Sequence, residues 1–323
     1  MSPKNRIQMN EQRIIRAVVP ETAAGLRLDK VLATLFQPYS RSQLQIWLRN
    51  GLLMMEGSIP SQRQIVQGGE HLTLMVPAPK DNTWMPQCIE LKIVHEDNDI
   101  VVIDKPAGLV VHPGAGNPDS TLANAILHRY PETSMLPRAG IIHRLDKETT
   151  GLLVIARNEG TRQRLIADLE NRSIKREYLA LVYGRVVAGG TIDKPIGRHR
   201  KDRLRMAVSD KGKAAITHFR VERRYKYHTL LRVILETGRT HQIRVHLADS
   251  GLPVIGDPLY GGRLRIPPGA DSKIIATLRA FKRQALHATT LAITNPASGE
   301  TLQWTSELPE DFIMLIEAVK QTD

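Results

Sequence analysis

The densest chemistry in the 323-residue sequence is His143-Arg144-Leu145-Asp146-Lys147-Glu148-Thr149-Thr150-Gly151, which runs into the apolar stretch Leu152–Ile155. A loop feeding a rigid strand can hold a reactive side chain in one place. Asp146 stands between Arg144 and Lys147, and nearby positive charge favours the carboxylate form. A positioned carboxylate can act as nucleophile or base. On spacing alone, a surface turn with a local salt bridge is the simpler reading.

Three further segments could serve the same site. Lys175-Arg176-Glu177-Tyr178-Leu179-Ala180 reads as a basic turn entering a strand, with Tyr178 exposed near its start. A phenol can give or take a proton and offers a flat face. In Glu236-Thr237-Gly238-Arg239-Thr240-His241-Gln242-Ile243-Arg244-Val245-His246, Thr240 is placed to cap a helix whose free N–H groups favour an anion. Arg244 lies one turn inside and suits a forked pair with a buried carboxylate. His241 and His246 are five apart, which misaligns them on a helix, and no cysteine cluster completes a metal site. Arg283-Gln284-Ala285-Leu286-His287-Ala288 offers Leu286 as a core or pocket leucine. The basic run Arg198–Arg205 has too little apolar content for a core element and reads as a mobile loop that meets phosphate.

The elements that must position these groups follow from patterning. Leu26, Leu28, Val31, Leu32 and Leu35 suit one helix face near 28–36. Ser40 or Ser42 can cap a second helix that ends at Gly51, and Leu52–Met55, a Glu56-Gly57-Ser58 turn and His71–Val76 follow as strands. Beyond about residue 89, strands are predicted at Ile100–Ile103, Leu152–Ile155 and Leu230–Leu235. Helices are predicted at Thr121–Arg129, Thr161–Asn171, Thr240–Asp249, Ser272–Lys282 and Pro309–Val319, with Ser250-Gly251 as a stop. Strands and helices are mixed without regular alternation, which favours an α+β sheet over a doubly wound one. Gly261–Ala270 reads as an exposed loop, and Pro77-Ala78-Pro79-Lys80-Asp81-Asn82 as a linker.

Composition narrows the partners. Lys and Arg total 45 against 33 Asp and Glu, a formal net charge of +12, which points to a polyanion, nucleic acid first and an anionic membrane surface second. Aromatics are only 4%, which argues against an aromatic stacking sheet as the RNA reader. No stretch approaches the ~18 apolar residues of a membrane span. The polar, basic start has no secretory h-region. The single cysteine, Cys88, excludes an internal disulfide and suits a reducing cytoplasm.

Residues 24–76 resemble the S4 RNA-binding domain, in the pattern RLDxxLA, SRSxxxxxL, NG and a closing GGE. Arg27, Arg41 and Arg49, with Lys30, would then form a basic face that follows RNA shape; a solvated charged surface is the plainer alternative. The sequence departs from that pattern at Glu56, where an acid replaces the usual asparagine before the turn glycine and weakens any phosphate contact there.

HRLDKETTG, together with IDKPAGLVVHPG (103–114), REYLALVYG (176–184), ETGRTHQIRVHL (236–247) and ALHA (285–288), resembles the pseudouridine synthases of the large-subunit ribosomal RNA type, the RluA family. The motifs stand in the family's order and cover about residues 90–323. The resemblance implies a pseudouridine synthase fold, a mixed, largely antiparallel sheet with flanking helices, behind the small S4-like domain. The implied division is 1–76, a linker at 77–90, and a catalytic domain at 91–323. It implies Asp146 as the catalytic carboxylate and Arg144 as the residue that displaces the target nucleotide. Tyr178 would lie against the uracil and help remove the C5 proton, Arg244 would pair with Asp146, Leu286 would line the pocket, and Arg239 would contact phosphate or support a residue that does. No cofactor and no metal are implied. The implied partner is 23S ribosomal RNA, at the helix 69 stem-loop, or the assembling large ribosomal subunit, met by a cytoplasmic monomer without a membrane. One carboxylate suffices because uracil stays in the pocket, whereas an ordinary glycosidase wants two across the bond.

Three rivals remain. A non-catalytic RNA-binding assembly factor shares the charge and the S4-like domain but gives no reason for Asp146, Tyr178 and Arg244 to stand together. A relative acting on another ribosomal or transfer RNA site would share all the catalytic motifs. A nucleoside hydrolase is disfavoured by the lack of a second acid.

Overall fold

Leu28, Val31 and Leu32 recur at helical spacing and are all buried. They give the first helix a single apolar face. The computed structural model describes residues 13–37, 39, 41–76, 84–114, 116–202, 204–295 and 298–322. These fall into two units, divided after Thr83. The smaller contains β1 (Arg13–Val18), α1 (Leu28–Leu35), α2 (Arg41–Arg49), β2 (Leu53–Met55) and β3 (His71–Val76). Its strands form an antiparallel sheet in the order β1-β3-β2. Leu44, Trp47 and Leu48 of α2 join the α1 leucines over that sheet in one core. Glu56 and Gly57 both take positive φ, the tight turn that matches strand twist. The expected cap Ser40 and the linker Pro77–Asn82 lie outside the described residues.

The larger unit runs β4 (Lys92–Glu96), β5 (Ile100–Lys105), α3 (Leu122–Arg129), β6 (Thr150–Ala156), α4 (Glu159–Glu170), β7 (Lys175–Tyr183), β8 (Gly190–Asp193), β9 (Ile196–Arg198), β10 (Met206–Val208), β11 (Ile216–Arg224), β12 (His228–Leu235), α5 (Gln242–Asp249), α6 (Ser272–Ala280), β13 (Leu286–Thr294), β14 (Thr301–Thr305) and α7 (Glu310–Lys320). Nine strands build one sheet in the order β4-β5-β6-β13-β7-β12-β11-β8, with β14 also pairing β13. Every pairing is antiparallel except β6 with β13. The mixed, largely antiparallel α+β sheet of the sequence reading is therefore present. Gly151 sits at the parallel contact with φ +109°, and a Cβ there would meet the Ala288 carbonyl oxygen at 2.2 Å. Only glycine fits that approach.

Several boundaries differ from expectation for local reasons. Asn158 caps α4 by accepting from Thr161 N–H, so the helix starts before Thr161. Asp271 caps α6, which ends at Ala280 rather than Lys282. The predicted linker to residue 90 is shorter, because the segment from Trp84 is docked: Asn124 Nδ2 donates to the Met85 carbonyl at 2.8 Å and Gln87 N–H to the Asn124 carbonyl at 3.0 Å. The basic run expected as a mobile loop joins β9 to β10, an antiparallel pair, and His199 Nδ1 accepts from Asp202 N–H at 3.1 Å within it; Arg203 lies outside the described residues. No described helix is long and apolar enough to cross a membrane.

Candidate active site

Asp146 stands in the loop before β6, its side chain 14% exposed. Two devices fix that loop. His143 Nε2 accepts from Val154 N–H at 3.2 Å, tying the loop to β6. Burial pushes its imidazole down to about 3, so it is a neutral strut. Lys105, fully buried at the end of β5, donates from Nζ to the carbonyls of Pro106, Leu109 and Lys147 at 2.7–3.0 Å. Burial pushes this amine down to about 8. The backbone of this loop is thus clamped one residue past Asp146.

Arg244 Nη1 donates to Asp146 Oδ2 at 2.9 Å. The other edge of the same guanidinium is forked onto Asp257, Nε to Oδ2 at 2.7 Å and Nη2 to Oδ1 at 2.8 Å. Burial opposes the Arg244 charge, but the two carboxylates outweigh it and the pKa is raised. The Asp257 side chain is wholly buried and also accepts from the N–H groups of Leu259 and Tyr260. A two-bond fork fixes orientation as well as charge, so Asp257 aims Arg244 at Asp146.

His241 takes a left-handed conformation, φ 57°, and is the residue that precedes α5. Thr240 is therefore one residue too early to be the expected cap. His241 Nε2 lies 3.8 Å from Asp146 Oδ1, and Nδ1 is 2.8 Å from the Tyr260 hydroxyl. That oxygen accepts from Met206 N–H at 2.8 Å, which leaves the hydroxyl hydrogen for His241 Nδ1. Burial lowers the His241 pKa. His246 is apart from all this: it is buried, with Nδ1 at Thr217 Oγ1 and Nε2 at the Lys194 carbonyl, both 2.9 Å. Gln242 ties the preceding loop together, its Oε1 accepting from Arg239 N–H and Thr237 Oγ1.

His143, Asp146, His241, Gln242 and Arg244 line a cleft of about 890 Å³ that also holds Tyr178, Leu286, Arg144, Arg176 and Arg239. Tyr178 is 5% exposed, not exposed as the sequence reading expected. β7 lies inside the sheet between β13 and β12, so its first residues are already covered. Burial raises the Tyr178 pKa. Leu286, 3% exposed, opposes Ala180 on the neighbouring strand. Arg144 and Arg239 are exposed, and Arg239 Nε donates to the Ala214 carbonyl at 3.1 Å. Arg138 and Arg172, also on the cleft, both carry positive φ. Such backbone strain persists only where surroundings impose it, and it clusters at ligand sites.

In the smaller unit, Arg27 and Arg41 converge on Asp29, which is 3% exposed; Nε of Arg27 is 3.0 Å and Nη2 of Arg41 is 2.5 Å from its oxygens. Arg41 first, then Arg27, holds the Asp29 carboxyl below its ordinary value. Arg49 and Lys30 are exposed, and Arg49 Nε donates to the Gln45 carbonyl at 3.4 Å. The expected basic face is therefore half neutralised from below.

The carboxylate, the arginine, the phenol and the leucine named from sequence share one cleft. Asp257, Tyr260, Lys105 and Arg176, which hold or line this arrangement, were not singled out from the sequence. Asp257 had a weak signal, an acid in the Gly-Asp-Pro-Leu-Tyr turn 13 residues after Arg244. His241 was weighed only as a metal ligand.

A family model described as RNA pseudouridylate synthase matches residues 99–249. The Ribosomal large subunit pseudouridine synthase D of Pseudomonas aeruginosa is 51% identical over 305 residues, covering 94% of this chain and 95% of that one. The protein of the same name from Escherichia coli K12 is 48% identical over 311 residues, covering 96% and 95%. Among solved structures, Human RNA Pseudouridylate Synthase Domain Containing 4 matches with TM-score 0.55 at 26% identity, over 71% of this chain and 93% of that one.

Proposed function

The chain belongs to the RNA pseudouridylate synthase family and is an RNA pseudouridine synthase, and from that premise we propose that it isomerises uridines of 23S ribosomal RNA, in the helix 69 stem-loop, with Asp146 as the essential carboxylate. The relatives' name supports the large-subunit RNA. The observation that carries the residue assignment is the Arg244 Nη1 to Asp146 Oδ2 bond of 2.9 Å in a cleft shared with Tyr178 and Leu286.

The target nucleotide must leave its stack, at a cost of a few kcal/mol. Arg144, exposed at the cleft and next but one to Asp146, displaces it. Arg239 with its neighbours holds phosphate. Asp146 then attacks C1′, or takes the 2′ proton to form a glycal; in either route the N1–C1′ bond breaks and the uracil leaves as an anion. The base turns, C5 joins C1′, C5 loses its proton and N1 gains one. The reaction is balanced within the nucleotide, without a cofactor. Tyr178 and Leu286 hold the base while it turns. Burial keeps the Tyr178 phenol protonated at neutral pH, so the C5 proton leaves to the regenerated Asp146 carboxylate rather than to a phenolate. The smaller unit, in its S4-like role, docks RNA through Lys30 and Arg49, and the enzyme works in the cytoplasm as a monomer.

The test is tritium release from 23S RNA carrying 5-tritiated uridine. Isomerisation necessarily frees the label. The native enzyme releases it, while Asp146→Ala binds RNA but releases none. Release by Asp146→Ala removes the mechanism; tight binding with no release by the native enzyme favours the assembly-factor reading.

A further inference from the structure

Arg176 lies two residues before Tyr178 on β7, so the two side chains share one face of the sheet, about 7 Å apart. It is 6% exposed and lines the same cleft. A buried guanidinium normally finds a carboxylate. Neither Glu177, its neighbour in the chain, nor the side chain of Glu236, whose backbone carbonyl it meets, is available to it. Glu177 holds Lys175 at 2.9 Å and Arg232 at 3.1 Å. Glu236 holds Arg172 through one oxygen and His218 through the other, at 2.7 Å. What Arg176 receives is the Glu236 backbone carbonyl, 3.3 Å from Nη2, and its Nε has no partner among the described residues.

The space around it is kept open. A Cβ on Gly238 would stand 2.9 Å from Arg176 Nη1, so any larger residue there shifts the guanidinium. A cation held without a carboxylate, in a gap that a glycine preserves, is half of a recognition pair. Leaving buried donors unmatched is costly, and the cost is relieved when an acceptor arrives.

We propose that Arg176 is a specificity-determining residue that donates to the C4 carbonyl oxygen of the target uracil. This rests on the synthase reading. Exposed arginines at the cleft, Arg144 and Arg239, suit phosphates, which stay near solvent; a buried guanidinium suits a base edge. Asp146 and Arg176 line the same cleft as Tyr178; in the proposed pose a base against the Tyr178 ring turns its sugar end toward the carboxylate and its far edge toward the guanidinium. Arg176 is a donor only. It accepts a carbonyl at C4 and rejects the amino group that cytosine carries there. It also faces the charge that builds on the uracil oxygens once the glycosidic bond breaks.

The experiment measures binding of two stem-loop RNAs, with uridine or cytidine at the modified position, to protein carrying Asp146→Asn. That background is expected to prefer uridine roughly ten- to hundredfold, the worth of a charge-assisted bond. Adding Arg176→Gln brings the ratio to within about threefold, with little change for the cytidine RNA. Gly238→Ala, which keeps the charge and displaces it, lowers the ratio in the same direction. A ratio unchanged in both variants, or equal losses for both RNAs, overturns the assignment. Tritium release by the enzyme with Asp146 intact is measured alongside. If it is absent, the synthase reading has failed; if it is present and the ratio persists, only the role of Arg176 has.

Discussion

Arg244 is forked onto Asp257, at 2.7 and 2.8 Å, and meets Asp146 with a single bond. The stronger grip is thus on the side of the guanidinium away from Asp146. Asp257 is wholly buried, which places the fork where water does not compete with it. In the proposed mechanism this relationship gives Asp257 the task of positioning Arg244.

Asp257→Asn keeps the shape and removes the charge. Arg244 then loses one ionic partner and its fixed angle. We expect single-turnover isomerisation to slow about ten- to hundredfold, with RNA affinity within a few fold of native. Activity within twofold of native would show that Asp146 alone orients Arg244.

Acid stability tests the strut assignment of His143. Its folded pKa is pushed down to about 3 and that of His112 to about 4, against about 6.5 for an unfolded histidine. The unfolded chain therefore takes up protons first as pH falls. The stability contributed is fully present above about pH 6.5 and is lost as pH falls toward the folded values. Between pH 7.5 and 5, His143 alone accounts for a loss on the order of 2 kcal/mol. Urea unfolding of His143→Asn should show a shallower decline over that range. An equal slope would mean that the imidazole is not held neutral.

Lys105 gives the alkaline counterpart. Its folded pKa is about 8, below the ordinary 10.4 of the unfolded chain. Between these values the unfolded state binds more protons, so stability rises with pH through that window and is lost as pH falls back toward 8. Relative to Lys105→Met, the native enzyme should gain on the order of 2 kcal/mol from pH 8 to 10. Parallel curves for the two proteins would contradict a buried, desolvated amine.

RNA docking by the smaller unit is best tested without Arg41, since Arg41→Glu would set a carboxylate against buried Asp29 and disturb the fold. Lys30→Glu with Arg49→Glu changes two exposed charges instead. Affinity for the stem-loop should fall, and the slope of log affinity against log salt should become shallower by about 1–2. An unchanged slope would remove this face from the interface.

Much of the site was legible locally. The HRLD, REY and HQIR segments named the site residues through the family resemblance, where spacing alone favoured a surface turn at Asp146, and patterning placed most helices and strands to within a turn. The positions of Asp29 and Glu177 were visible too, but not that each is already claimed by two cations. Tyr178 was misjudged as exposed because burial on a strand depends on its neighbours, and β12 and β13 begin about 50 and 108 residues downstream, by no rule that the REY segment contains.

What the sequence determined by itself was the class of fold and, through the resemblance its motifs carry, the family's reaction: turn residues, caps and apolar periods act over a few positions, and the motif residues stand inside such local units. The tertiary structure alone decided which charges meet. Asp146 and Arg244 are 98 residues apart in the chain, and Thr150 and His287, hydrogen-bonded at 2.9 Å where β6 runs parallel to β13, are 137 apart. A buried ion takes the partner that strand order brings within reach. That order is set by how the whole sheet buries its apolar faces, which is why Asp257 holds Arg244, and Arg176 is left with a hydrogen-bonding edge to offer a substrate.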